Sequence, residues 1–386
     1  MIRNASLYAG FLLDGSGEPF VKNAHIRVRN GFIEKVEPDR QDILEKPGVW
    51  DLSGRTVLPL LADCHAHLFM SGTTDLNARK RQAAADFSET RRIILDNLEK
   101  HRLRGIGSVR DAGDRDARTL RFKNSLKGPE KIPVRIHAAG AGWRSRGRYG
   151  TLIARSPATG QTLARAVSDR QEGSDHVKII NSGLNSLTEF AKETRPQFDL
   201  GEMTAAVEAA RRLNLGVMAH ANGKIPTQIC VDAGCRSIEH GFFMGRETLR
   251  KMADKGVAWV PTAFAIKAHC LHLEKTGGNA DVARRTLDHQ LSRIRLARQA
   301  GVTVALGTDA GSPGADHGDA VLWEFQTLME GGLTLEEATR AASLNGARLM
   351  GLENEGAVAP GMRARMMAVP GDPSMLPESL KRLRLL

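Results

Sequence analysis

Cysteine is scarce in this chain. Its four copies, Cys64, Cys230, Cys235 and Cys270, have neither CxxC spacing nor the density of a disulfide framework, so they read as reduced thiols. Aromatic residues reach only 5%, too few to interleave a stacking platform for nucleic acid. No run approaches the ~18 uninterrupted apolar residues of a membrane span. The opening MIRNASLYAGFLLDGSGEPF also lacks the long apolar core of a secretory signal. These absences lead us to expect a cytoplasmic protein with neither a nucleic-acid nor a membrane partner. Acidic residues are in deficit too, 44 Asp and Glu against 55 Lys and Arg, for a net charge of +11 with neutral histidines. The arginines are scattered along helical faces, which favours a solvated basic surface over a polyanion site.

What is present is enough for a large core: 386 residues, 41% hydrophobic and 26% charged. Residues 1–58 alternate short strand-like runs with glycine turns, as in AHIRVRNGFIEKVEP, and predict a small antiparallel sheet region. Beyond it, short apolar runs alternate with amphipathic helices such as DFSETRRIILDNLEKHRLRG, LGEMTAAVEAARRLNLG and DVARRTLDHQLSRIRLARQAG, each closed by a glycine suited to a helix end. Eight candidate strands end in VLPLLADCHAHL, GIGSVRDAG, VRIHAAG, HVKIINSG, GVMAHANG, SIEHG, VAWVPT and TVALGTDAG. Such a rhythm predicts an α/β fold with a (β/α)8 TIM barrel over residues 59–355. The tail, residues 356–386, returns to strand-like text and is expected to rejoin residues 1–58 in a small β-sandwich.

Five of the eight strand ends finish on a residue able to bind a metal: His65 and His67 beside Asp63 in the first, Lys178 in the fourth, His220 in the fifth, His240 in the sixth and Asp309 in the eighth. Residues two apart on a strand point the same way, so His65 and His67 can face one ion while Cys64 and Ala66 face away. A single histidine at a strand end is more often structural than a ligand. Their succession at strand C-termini, where a barrel carries its catalytic groups, makes the set informative. Lys178 is the unexpected member, because an ammonium is no ligand and burying one is costly. Either it neutralises a carboxylate, or its neutral amine takes up carbon dioxide to form a carbamate, turning a cation into a bridging anion.

These motifs, in this order, resemble the amidohydrolase superfamily, specifically its metal-dependent branch with a carboxylated lysine on the fourth strand. LPLLADCHAHL resembles the family's LPGxxDxHxH, VKIINSG its lysine motif, VMAHANG and SIEHG its later histidine motifs, and ALGTDAG its aspartate motif. The VKI, AHANG, IEHG and VPT run is similar to prolidase-like dipeptidases, the Xaa-Pro and Xaa-Arg type, and the set also resembles the imidazolonepropionase-related branch. Leu60 replaces the family's Gly, Arg365 stands where Asp is usual, and AAGAGWRSRGRYG lacks the GGHG-like text common in the dipeptidase group. The resemblance implies that His65, His67 and Asp309 bind one ion, that His220 and His240 bind a second, and that carboxylated Lys178 bridges them. Asp63 would orient rather than ligate. Such nitrogen and oxygen donors suit zinc, with manganese, cobalt or iron also compatible.

The implied reaction is hydrolysis of an amide in a dipeptide or N-acyl amino acid. A metal-bridging hydroxide attacks the carbonyl, and Asp309 carries the proton to the leaving nitrogen. Metal coordination lowers a water pKa from 15.7 to about 7, worth roughly 12 kcal/mol, whereas acid-base terms alone supply about 3 to 5 kcal/mol. Arg144, Arg146 and Arg148 follow the third strand and His137 lies on it; all four are candidate substrate-binding residues, the guanidinium groups suiting a substrate carboxylate. The partner is a small-molecule substrate, and a homo-oligomer is the expected assembly. The alternatives are a mononuclear lactam hydrolase, a deaminase, which the text after His220 disfavours for want of a nearby Glu, and a metal-free scaffold.

Overall fold

The computed structural model describes residues 2–126, 132, 134–170 and 173–386. Strands β1 (Ala5–Leu12), β2 (Val21–Arg29), β3 (Phe32–Glu37) and β4 (Val49–Pro59) form the N-terminal part of a six-stranded sheet. Its other two strands are β14 (Met366–Pro370) and β15 (Arg384–Leu385) from the tail, in the order β15-β14-β4-β1-β2-β3. Leu7, Ala9, Ile26, Val28 and Val57 pack with Met366 and Ala368 into a core of their own. The N- and C-terminal segments thus share one sheet.

The remaining strands are parallel. A three-stranded sheet holds β5 (Leu61–Ala66), β6 (Ile106–Asp111) and β7 (Arg135–Ala138). A six-stranded sheet holds β8 (Gly142–Trp143), β9 (Ala154–Arg155), β10 (Val177–Ile180), β11 (Val217–Ala221), β12 (Ser237–His240) and β13 (Ala258–Val260). Every residue of β5, β6 and β10 to β13 is buried, as expected of parallel strands with both faces covered. The two sheets are linked through backbone hydrogen bonds. Asp175 N donates to Ala138 O at 2.9 Å on one side; on the other, residues 304–310 touch β13 through a Trp259–Val304 bridge and β5 through an Ala66–Ala310 bridge.

The text TVALGTDAG, expected as an eighth strand, makes isolated bridges rather than a continuous ladder among the described residues, those two and one between Ala310 and Ser312. Its Leu306 N–H turns away to Ala341 O, and Asp309 adopts a left-handed φ of 55° that interrupts extended pairing before the Ala310 bridge. Of the three helix-closing glycines, Gly301 (φ 75°) caps the helix Asp281–Ala300 directly. After the helix Leu200–Arg212, however, Asn214 (φ 57°) rather than Gly216 takes the left-handed place, a role asparagine fills next best. The stretch TLEEATRAASLNGARLMG folds as two helices, Leu335–Ala342 and Leu344–Leu349, divided at Ser343.

Candidate metal centre

A cavity of about 550 Å³ opens at the C-terminal ends of the parallel strands, and His65, His67, Lys178, His220, His240 and Asp309 all line it. His65 and His67 leave β5 on the same side, as alternation requires, while Cys64 packs with Val260 and Ala305. Nε2 of His65 and Nε2 of His67 each lie 3.5 Å from Oδ1 of Asp309, so three donors surround one point. The ring of His240 sits 4.9 Å from that of His65 and 4.6 Å from that of His220.

Contacts behind the rings fix which nitrogen faces the cavity. His67 Nδ1 donates to Gly113 O at 2.9 Å, and His65 Nδ1 donates to Glu239 Oε2 at 2.7 Å, leaving both Nε2 lone pairs toward Asp309. His220 Nε2 donates to Gly183 O at 3.2 Å, which leaves its Nδ1 as the acceptor. His240 Nδ1 bonds Thr262 Oγ1 at 2.7 Å, and its backbone holds a left-handed φ of 65°. Trp259 Nε1 and Gln290 Nε2 both donate to the His240 carbonyl and brace that conformation.

Electrostatics keep the rings neutral. Burial lowers His67 and His220 to about 3, with the Lys178 charge as the next cause. His65 and His240 are likewise held well below the usual imidazole range, chiefly by burial. Lys178 is only 1% exposed; burial lowers its pKa to about 8, while Glu239 and Asp309 oppose the shift. Among the described residues no carboxylate lies within ion-pair distance of its ammonium, so the pairing that would explain a buried lysine is missing. Burial raises Asp309 to about 6, with the Ser312 hydroxyl, donating to Oδ2 at 2.9 Å, holding it down.

Asp63 accepts from His65 N, from Thr308 N and Oγ1, and from His101 Nε2, so its oxygens are occupied in tying β5 to the segment before Asp309. The sequence reading missed Glu239, although a charge inside the short buried strand SIEH is a signal. Arg110 donates through Nη2 to Ser237 Oγ at 2.7 Å and to Glu239 Oε1 at 3.4 Å, extending a buried polar row to His65. It also missed Tyr149, whose ring lies 5.5 Å from His220. Of the candidate substrate-binding residues, Arg148 lines the cavity. Arg144 and Arg146 do not: they donate to carbonyls of their own loop region, Ser145 O and Arg148 O for the first and Pro157 O for the second. His137 opens on a different cavity at the opposite ends of the strands, because its β7 side chain points away from the site.

No helix among the described residues is long and apolar enough to cross a membrane. Ochratoxinase of Aspergillus niger is 27% identical over 382 residues, which cover 88% of this chain and 75% of that protein. Imidazolonepropionase of Salinispora arenicola is 25% identical over 370 residues, 90% of this chain and 85% of that one. A Xaa-Pro dipeptidase crystallised with methionine in its active site superposes with a TM-score of 0.80 at 24% identity, over 99% of this chain and 98% of its own. The sequence profile of the Amidohydrolase family matches residues 56–382, so the chain belongs to that family and is a hydrolytic enzyme acting on carbon–nitrogen bonds.

Proposed function

We propose that the protein hydrolyses the amide bond of a dipeptide or N-acyl amino acid at a centre of two divalent ions, zinc by donor type, held by His65, His67, His220, His240, Asp309 and a carbamate on Lys178. The observation that carries the reading is the lining of one cavity by all six side chains, with three imidazoles presenting a defined lone pair. Lys178 fits the carbamate because its amine, lowered to about 8, is partly neutral near pH 8 and has no carboxylate partner. Neutral imidazoles and a single Asp309 carboxylate also leave too little negative charge for two dications without it. Bound ions would supply a water of lowered pKa and a Lewis acid for the carbonyl.

The chain's own residues do the rest. Asp309 accepts a proton at Oδ1, the oxygen facing His65 and His67, while Ser312 holds Oδ2. Glu239, Gly113 O and Thr262 fix the rings, so no reorientation accompanies the reaction. Phe69, Met70, Leu152, Leu184 and Phe242 give the cavity apolar walls suited to the acyl or leaving side, and Arg148 at its edge suits a substrate carboxylate. The same proposal closes the parallel strands into a (β/α)8 barrel of residues 59–355, with residues 1–58 and 356–386 forming the small β domain. It keeps the cytoplasmic location and the homo-oligomer.

A second reading is favoured by one observation: among the described residues, the group of three His, Cys or carboxylate donors within 4.8 Å of one another is His65, His67 and Asp309, which suits a single ion and a lactam hydrolase. Elemental analysis of protein purified without chelator separates the two. About two ions per chain, falling to one or none in Lys178→Ala, supports the binuclear reading; one ion with an unmodified Lys178 mass selects the other. Activity that survives exhaustive chelation overturns both.

A further inference from the structure

The parallel strands begin at a second cavity, of about 650 Å³, on the side of the molecule away from the candidate metal centre. Its lining includes the chain just before β11, β12 and β13, at Gly216, Arg236 and Val257. Arg110 and His176 form its buried part, 3% and 7% exposed. Nη2 of Arg110 is engaged by Ser237 and Glu239, whereas Nη1 is buried with no partner among the described residues. Nε2 of His176 is likewise buried and unpartnered. A buried polar nitrogen left unmatched is costly, and two beside one cavity point to a group that completes them.

The charge around the cavity gives the sign of that group. Arg211 and Arg236 stand exposed at its edge, beside Lys255, which pairs with Asp232 at 3.5 Å. Arg236 donates to the carbonyls of Arg348 and Leu349, contacts that leave its charge uncompensated. The carboxylate in the lining, Asp175, is already taken: both oxygens lie 2.6 Å from Lys123 Nζ, and Oδ2 also accepts from Ala138 N. Val207, Leu215, Val257 and Met350 add apolar lining to the cavity.

We infer that this cavity binds a small organic anion, carboxylate or phosphate, through Arg110 and His176 at its floor and Arg211 and Arg236 at its edge. A guanidinium presents its N–H groups in a plane that matches an oxyanion, and the apolar lining accommodates the carbon body. This site is separate from the proposed hydrolytic one and does not depend on that reading.

Calorimetric titration of the whole protein with inorganic phosphate, and separately with succinate, at ionic strength held constant with chloride, tests it. Saturable binding of at least one probe is expected, and the tighter probe identifies the anion type. Arg211→Glu combined with Arg236→Glu should weaken that binding at least ~10-fold, about 1.4 kcal/mol. Asp309→Asn, at the opposite cavity, should leave it unchanged. Should the double variant melt well below the wild type, Arg211→Glu alone, at an exposed helix end, gives the answer. Absence of binding to both probes overturns the inference, as does binding weakened by Asp309→Asn but not by charge reversal at the edge.

Discussion

The two cavities at the ends of the same parallel strands treat their buried polar side chains in opposite ways. At the C-terminal ends, the ring nitrogen of each candidate ligand histidine that faces the protein is bonded, to Glu239, Gly113 O, Gly183 O or Thr262. At the N-terminal ends, Arg110 Nη1, His176 Nε2 and Ser174 Oγ have no partner among the described residues. Orientation is built into the first end before anything binds, whereas the second is left to be completed. Asp309→Asn strikes the first end hardest. It should lower kcat by about 10² to 10⁴, the scale of a lost acid-base group, while the protein still melts near the wild-type temperature. A kcat within a few-fold of wild type would remove Asp309 from proton transfer.

Glu239 belongs to both ends, because it bonds His65 on one side and Arg110 on the other. Glu239→Gln keeps the shape but leaves Arg110 without its counter-charge, so urea unfolding should show a loss of about 3 to 5 kcal/mol, the usual result of breaking a buried pair. Metal affinity should fall about 10- to 100-fold as His65 loses its orienting acceptor. If stability falls and metal affinity does not, the two ends are independent and the buried row serves the fold alone.

How much of this was legible in sequence follows from the range of each interaction. His65, His67, Lys178, His220, His240 and Asp309 could be read because strand ends and two-residue alternation are local, and a parallel sheet gathers its C-termini at one side. His137 illustrates the limit: its place on the third strand is local, but which end of the strand its ring faces depends on where β7 (Arg135–Ala138) sits along its neighbour β6. The pairing of Glu239 with His65 spans 174 positions and has no local trace beyond a charge in an apolar run. The irregular segment at 304–310 escaped for a different reason. Its apolar run has strand text, but its hydrogen bonds are divided among β5, β13 and Ala341, leaving no continuous ladder.

Glu324 extends the comparison to pH. Fully buried on the helix Asp319–Glu330, its carboxyl accepts from Ala263 N and Phe264 N at the start of the helix Ala263–Lys275. Thr262, bonded instead to His240, provides no side-chain cap there. Burial lifts the Glu324 pKa from 4.5 to about 8, with the two amides opposing. Below the lower value both folded and unfolded states carry the proton and stability is greatest. Between the two values the unfolded chain releases it first, so stability falls with rising pH by up to about 1.4 kcal/mol per unit, and above the higher value the loss is complete. Asp111 and Asp309, raised by burial to about 7 and about 6, add to the decline, so urea midpoints across that window should fall for the wild type and fall less steeply in Glu324→Gln. Equal slopes would mean that Glu324 stays ionised against the helix start.

The smallest effect is expected from the arginine loop, where the contrast lies within a few residues. Arg148 lines the catalytic-end cavity and is anchored by Nη2 to Arg195 O at 2.7 Å, a contact to a neutral acceptor that leaves its charge available. Arg144 braces the loop from within through Ser145 O and Arg148 O, and among the described residues Arg146 reaches only Pro157 O and Thr159 Oγ1 on the outside. Arg148→Ala should therefore raise KM about tenfold for an N-acyl amino acid and little for the matching amide, as expected when one exposed guanidinium–carboxylate contact worth ~1.4 kcal/mol is lost. Arg144→Ala should loosen the loop and affect acid and amide alike, and Arg146→Ala should change neither. Paired kcat and KM values on one such acid and its amide decide it. An equal rise for both substrates in Arg148→Ala would assign that side chain to the loop, as with Arg144, and leave carboxylate recognition to another cation on the cavity wall, Arg79, whose Nη1 already donates to Gly311 O.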